Sequence, residues 1–382
     1  MRARIFITVF LLLLLLPAAQ MLTGLVPLAP VNENRALASA PSLGGPIDRL
    51  PRVANDWFND HFGLRPLLIR LKTQIDYSLF GTSDRVLVGR DGWLFYRSTV
   101  NVEVPLVESM LTDEEQARIA TGMRLFIGAL EKAGIHSVLV INMMSDRFYT
   151  DKLPNAAVRR LPHPRMDDLI VKLREIPSVH YVDSFAILRK AMTQRTIFHK
   201  TDFHWNDPAA FDVAKAVVDD MSVTQGLPRS AWNHPLEIAL MPSSGGIANF
   251  MPLFVPPSEM ALMVKPTYTF LPGTTTGYNV GVFESVTNSA PGTPGYLAPA
   301  VFIGDSFLDG MIRAGLQTSF TSTARARWSP AVTLSKVAQD MPADTRFCLI
   351  EFIEVGLTAL RAFADLDDVA KAVVIIEHRA TK

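Results

Sequence analysis

The residues with most chemical potential in this 382-residue chain are a serine and, about 100 positions earlier, a histidine with a carboxylate two residues before it. The serine sits in Ala300-Val301-Phe302-Ile303-Gly304-Asp305-Ser306-Phe307. Its hydroxyl becomes a useful nucleophile only when a base removes the proton. Thr201-Asp202-Phe203-His204-Trp205-Asn206 can supply that base. On an extended segment residues two apart point to one side, so Asp202 can hold the Nδ1 proton of His204 while Nε2 faces a nucleophile from downstream. The corresponding chemistry is acyl transfer, with Asp202, His204 and Ser306 as the catalytic set. Each piece also has a plainer reading. Ser306 can simply cap a helix, and the Asp-Phe-His-Trp stretch can be a surface loop with two polar residues and a packed tryptophan. His199 with Asp202 and His204 also suggests a metal site, but no further ligand can be named, so no metal is expected.

The elements around these residues read as an α/β fold. Four apolar residues, Ala300 to Ile303, make a buried strand; Gly304 allows a tight bend, and Phe307 to Ala314 can form a helix beginning at the serine. Backbone N–H groups at that helix start would face a developing oxyanion, with the helix dipole adding to the effect. Gly245, Gly246 and Asn249 lie in a loop that can supply a second donor, although glycines in such loops are more often turn formers. Upstream, apolar positions from Val53 to about Leu79 predict a helix, and Val86–Val88 and Trp93–Tyr96 predict two short strands around Asp91-Gly92. Thr112 with Glu115 is a capping-box signature for a helix that Gly134 stops; His136 to Asn142 is then a short buried strand. A helix over 165–174, a strand over 179–182 and a short helix through Met192 repeat the unit. Asp207 as cap and Pro208 in the first turn predict another helix start. Helices alternating with apolar strands imply a sheet with helices on both faces, and ligands gather beyond the carboxyl ends of such strands. Residues Pro228 to Pro299, richer in Pro, Gly, Ser and Thr, predict loops and antiparallel strands inserted into this core.

Arg2 and Arg4 precede Ile5 to Val31, 27 residues without a charge. About 20 apolar residues span a bilayer, and basic residues stay on the cytoplasmic side. The expectation is an uncleaved amino-terminal anchor over 1–31, a Pro/Ser/Gly/Ala linker over 32–51 and a main domain over 52–382 outside the cytoplasm. A cleaved signal peptide ending near Pro17-Ala18-Ala19 is the competing reading. With 37 basic and 37 acidic residues mixed along the chain, the net charge is zero, which removes the electrostatic term nucleic-acid binders depend on; no nucleic acid is expected. The single cysteine, Cys348, excludes an internal disulfide and a multi-cysteine metal cluster, and reads as a small buried hydrophobe.

Taken together, Asp202, His204 and Ser306 resemble the catalytic set of the SGNH-hydrolase-like proteins of polysaccharide O-acetylation, the AlgJ/AlgX or DHHW family. Glu33-Asn34-Arg35, Asp60 to Arg65 (DHFGLR) and Val88 to Tyr96 (VGRDGWLFY) look like that family's amino-terminal signatures. The Asp-x-His-Trp block precedes the Gly-Asp-Ser block, the reverse of ordinary SGNH esterases; this circularly permuted motif order is a feature of the group. Asn142 to Leu153 follows the family's loop only loosely, with Arg147 as counterpart of its basic residue. The resemblance implies an SGNH-hydrolase-like sheet flanked by helices, placed in the periplasm by an inner-membrane anchor. It implies transfer of acetyl groups to hydroxyls of a secreted, alginate-like exopolysaccharide through an acetyl-serine, without a cofactor. A multi-pass membrane acyltransferase would be the acetyl source, within a polysaccharide biosynthesis and export complex. An acetylesterase of the same fold and a non-catalytic polysaccharide-binding subunit are the alternatives. Trp232, Tyr268, Tyr278 and Tyr296 offer aromatic faces suited to sugars, although buried packing is the commoner use of such residues.

Overall fold

The apolar runs after residue 135 assemble into a sheet of seven strands, seen in a computed structural model. It describes residues 2–28, 31, 36–42, 44, 46–97, 111–157, 165–227, 237–265, 275–287 and 296–380. In chain order the elements are α1 (Arg2–Thr23), α2 (Leu50–His61), α3 (Arg65–Phe80), β1 (Val86–Val88), β2 (Leu94–Tyr96), α4 (Asp113–Lys132) and β3 (His136–Asn142). Then come α5 (Arg165–Arg174), β4 (His180–Tyr181), α6 (Ser184–Ala191), α7 (Asp207–Thr224), β5 (Glu237–Ser243), β6 (Glu259–Lys265), β7 (Thr275–Val280) and β8 (Phe283–Thr287). The rest is β9 (Ala300–Gly304), α8 (Leu308–Arg313), β10 (Ser322–Arg327), α9 (Leu334–Asp340), β11 (Phe347–Ile353), α10 (Leu357–Ala362) and α11 (Leu366–Ala380).

The sheet order is β4-β3-β11-β9-β10-β8-β7. The first five strands are parallel, and β8 and β7 add antiparallel at one edge. Parallel strands covered on both faces must be apolar throughout, as β9 and much of β3 and β11 are: Val138 to Ile141, Val301 to Ile303 and Cys348 to Ile350 are all fully buried. Burial pushes the Cys348 thiol up to about 12, so it is the inert hydrophobe the sequence implies. Helices pack in two sets: α4 against α5, α10 and α11, and α7 against α6, α8 and β3.

Local signals explain most of the element ends. Thr112 accepts from the Glu115 amide at 3.1 Å while Glu115 reaches back to the Thr112 amide at 3.2 Å, the reciprocal cap expected at the start of α4. The helix expected over Val53–Leu79 is instead two helices, broken at Phe62-Gly63-Leu64. Pro66, which has no N–H to donate back, sits in the first turn of α3 and cannot continue α2. Asp207 is not the cap of α7. Asn206 caps it, accepting from Ala209 at 3.1 Å, which frees Asp207 to accept from Val264 N–H at 3.1 Å and Arg313 Nε at 2.9 Å. The Pro/Gly-rich insertion contains the β5–β6 hairpin, and β8 joins the main sheet beside β10. Glu33, Asn34, Arg35, Trp232 and Tyr268 lie outside the described residues.

α1 is a 22-residue helix whose most apolar 18-residue stretch has a mean hydropathy of 2.5, and it is the one helix among the described residues long and apolar enough to cross a membrane.

Candidate active site

Ser306 stands two residues past the end of β9, beyond the carboxyl edge of the parallel strands. The segment is held there by a carboxylate rather than by a helix cap. Asp305 Oδ1 accepts from Phe307 N–H at 2.9 Å, and Oδ2 accepts from Ile353 N–H at 2.8 Å, tying the turn to the end of β11. The cap position of α8 belongs to Phe307, so Ser306 is not spent on capping. Gly304 is required by close approach and not by a bend: a Cβ there would lie 2.7 Å from Glu351 Oε2 and 3.1 Å from the Glu351 carbonyl.

Histidine and serine meet across 102 residues of chain. His204 Nε2 lies 2.8 Å from Ser306 Oγ, and His204 Nδ1 lies 2.7 Å from Asp202 Oδ1. Both side chains are about one-fifth exposed, at 23% for His204 and 19% for Asp202, so the relay is sheltered yet reachable. Burial works to raise the Asp202 carboxyl, but the hydrogen bond and charge of His204, with the Gly246 and His204 amides, hold it well below the usual carboxylate range. Asp202 is therefore an anion, the form that fixes the Nδ1–H tautomer and leaves Nε2 as acceptor toward the serine.

Four contacts place this loop. Trp205, fully buried, donates its indole N–H to the Phe307 carbonyl at 3.0 Å and so links the residue after the histidine to the residue after the serine. The Phe203 ring stacks on His204 at 4.1 Å. Glu259 of β6 accepts from Lys200 N–H at 2.9 Å, Thr201 N–H at 2.7 Å and Thr201 Oγ1 at 2.8 Å. From the other side Leu94 of β2 donates to the Lys200 carbonyl at 2.8 Å. The amino-terminal strand pair and the inserted hairpin thus clamp one loop between them.

The amides expected to line an oxyanion site are largely committed elsewhere. Gly246 N–H donates to Asp202 Oδ2 at 2.7 Å and Gly245 N–H to Thr201 Oγ1 at 3.0 Å, so these two glycines serve the carboxylate of the relay. Gly245 has no space for a side chain, since a Cβ would sit 2.5 Å from Asp202 Cβ. Asn249 is exposed. At the elbow the Phe307 amide is held by Asp305 and the Asp309 amide by the Ser306 carbonyl. Arg147 pairs with Glu354 and, at 2.7 Å, with Asp167, which pins the loop after β3. His199 does not join Asp202 and His204 in a group of converging ligand atoms. Its ring is buried, which pushes its pKa down against the pull of Glu259 and Asp202.

A layer of polar groups under the elbow has no counterpart in the sequence reading. Asn142 Nδ2 donates to Glu351 Oε1 at 2.5 Å, with both residues fully buried. Burial and the neighbouring Asp305 charge push the Glu351 carboxyl well up, and burial raises Asp305 even against the Phe307 and Ile353 amides. Glutamate inside the apolar run Phe347 to Ile353 was the available signal, because a carboxylate in a buried strand needs a partner.

Residues 86–265 match the family described as SGNH hydrolase-like domain, acetyltransferase AlgX. A protein of Pseudomonas aeruginosa described as probable alginate O-acetylase AlgJ is 24% identical over 220 residues, 57% of this chain and 54% of that one. Its namesake in Pseudomonas putida is 25% identical over 213 residues, 54% and 52% of the two chains. The chain thus spans about half the length of the curated relatives it matches. Among solved structures, Bacillus cereus PatB1 superposes with a TM-score of 0.52 at 13% identity, over 72% of this chain and 97% of that one, a likeness of fold.

Proposed function

Because the chain is AlgJ/AlgX-like, with an SGNH-like sheet, we propose that it is an O-acetyltransferase that acetylates hydroxyls of a secreted polysaccharide. The observation that carries this reading is the unbroken relay from Asp202 through His204 to Ser306, at 2.7 and 2.8 Å. Ser306 Oγ attacks the acetyl carbonyl as His204 Nε2 takes its proton; the donor's leaving group departs with that proton, and acetyl-Ser306 remains. A sugar hydroxyl then gives its proton to His204 and attacks the acetyl carbon, and the proton returns to Ser306. Asp202 stabilises the imidazolium in both halves. With the Phe307 amide engaged, the Ser306 amide is the elbow's donor for the oxyanion.

Alginate-like polymers are the proposed acceptors, supported by the names of the relatives. We place the catalytic domain, residues 52–382, in the periplasm, tethered by residues 1–31 through a linker over 32–51, supported by Arg2 and Arg4 ahead of the apolar helix. Acetyl-CoA is a cytoplasmic donor, so a multi-pass membrane acyltransferase within the polysaccharide assembly machinery supplies acetyl from across the bilayer. The test is incubation of the detergent-solubilised full chain with a chromogenic acetyl ester and candidate oligosaccharides. Acetylated oligosaccharide that disappears with Ser306→Ala is expected. Free acetate as the sole product across all acceptors would make it an esterase.

A further inference from the structure

β3 carries the elbow's supporting Asn142 at one end and a second cluster of side chains at the other. In register, His136 of β3 lies beside Phe347 and Ala300, the first residues of β11 and β9, so it marks the amino edge of the sheet, opposite Ser306. A seven-residue strand puts the two ends roughly 20 Å apart. His180 of β4 pairs with Val138, two residues from His136, so both histidines stand on one face of the sheet. Asp220 and Thr224, one turn apart on α7, cover that face.

The three side chains already converge. His136 Nε2 lies 2.7 Å from Asp220 Oδ1, and His180 Nδ1 lies 3.2 Å from Asp220 Oδ2. The two imidazole rings are 4.1 Å apart, and one ligand atom from each of the three residues falls within 4.8 Å of the others. Thr224 Oγ1 adds a neutral oxygen 3.3 Å from His136 Nε2. His136 is well sheltered and His180 about half exposed, which leaves an open approach from solvent.

We propose that His136, His180 and Asp220 form a binding site for a divalent transition cation, with zinc as the best fit. Two imidazole nitrogens and one carboxylate oxygen suit zinc, whereas magnesium and calcium select all-oxygen shells. Metal–ligand distances of about 2.0–2.2 Å need ligand atoms a little over 3 Å apart, which side-chain rotations reach from the present spacing. Each imidazole binds through the nitrogen that now faces Asp220 and keeps its remaining proton on the other ring nitrogen. The fourth position is open to solvent. Such an ion would tie the edge strand β4 and the start of β3 to the last turn of α7. Because α7 follows directly from the His204 loop, the ion is a structural clip on the helix that anchors the base, independent of whether the chain transfers acetyl groups.

The experiment uses untagged full chain, stripped with chelator and titrated calorimetrically with zinc chloride. One equivalent of saturable binding is expected, weakened by at least about 10-fold in His180→Ala and in Asp220→Asn, the low end of what even outer-shell partners are worth. The thermal midpoint should rise with zinc in the wild type and stay unmoved in both variants. Absence of a one-equivalent site, or wild-type affinity in both variants, overturns the proposal. X-ray absorption of the zinc-loaded wild type gives an answer independent of the variants' folding: a shell with two imidazoles supports the site, and a shell with none or one overturns it.

Discussion

Ser306 is reached by two constraints that act on different atoms. Asp305 orients its backbone and His204 takes its hydroxyl, so replacing the hydroxyl leaves the elbow intact. Ser306→Ala and His204→Ala should each lower acetyl transfer by roughly 1000-fold or more with unchanged unfolding midpoints, because members of such a set act as a unit. Asp202→Asn should retain more activity, and initial-rate measurements on all three variants order them. Glu351 supplies a second prediction at this scale. Its folded pKa is raised, so its proton favours the fold below the unfolded value of about 4.5, and that stability drains as pH rises toward the folded value, by up to about 1.4 kcal/mol per pH unit. Glu351→Gln keeps an acceptor for Asn142 and should flatten this slope; denaturant titrations from about pH 5 to 8 would show parallel wild-type and variant curves if the carboxyl were not raised. Asp202, Asp305 and Ser306 were legible as motif residues. The Asn142–Glu351 layer was not, because it joins two strands distant in sequence and only burial reveals what a lone polar residue in an apolar run must satisfy.

Between elements, the decisive link is the Trp205 indole bond to the Phe307 carbonyl, which joins the residue after His204 to the residue after Ser306. Trp205→Phe keeps most of the buried ring but removes the donor, at a cost of about 1–3 kcal/mol for the unpaired group. The turnover number should fall more than stability alone explains, read as kcat against midpoint. Gly245→Ala tests the hairpin clamp: its methyl group would meet Asp202 Cβ and the Thr201 carbonyl, both at 2.5 Å, so the loop must shift. We expect loss of activity with the sheet intact by circular dichroism; normal activity would mean that the hairpin does not position Asp202. From sequence alone Trp205 has packing as its plainer role, and Gly245 and Gly246 are either a second oxyanion donor or plain turn formers. Periodicity and turn chemistry report local conformation, whereas these roles depend on which distant loop arrives opposite, here β6 and the Gly245-Gly246 turn against residues 200–202.

For the whole molecule, the parallel core was legible in part because β3 and β9 are short apolar runs next to helices, whereas β11, interrupted by Glu351, carried no strand expectation. The antiparallel edge of β8 and β7 was only half visible, since nothing local to 275–287 says which strand it will join. The split between α2 and α3 followed from Pro66, a local signal outweighed in the sequence by a continuous apolar stripe. No residue of α2 or α3 is fully buried, yet α3 reaches the site's surroundings: Tyr77 packs on the Val86–Leu94–Ile247 cluster that also takes Phe203, and Gln74 Oε1 accepts from Phe254 N–H at 3.1 Å. A periplasm-dependent reporter fused after Lys382 should be active, and the amino terminus should be uncleaved by mass spectrometry; a silent fusion or a mature terminus near Gln20 would contradict the proposed tether. In the proposed mechanism Ser306 itself carries the acetyl group between donor and acceptor. Acid quenching of the full chain during turnover of an acetyl ester, followed by peptide mass mapping, tests it directly. One added acetyl group is expected on the peptide containing Ser306, absent in His204→Ala and discharged by acceptor oligosaccharide. Acetyl transfer in the wild type that continues undiminished in Ser306→Ala, or an acetyl group mapped to another residue, would contradict it.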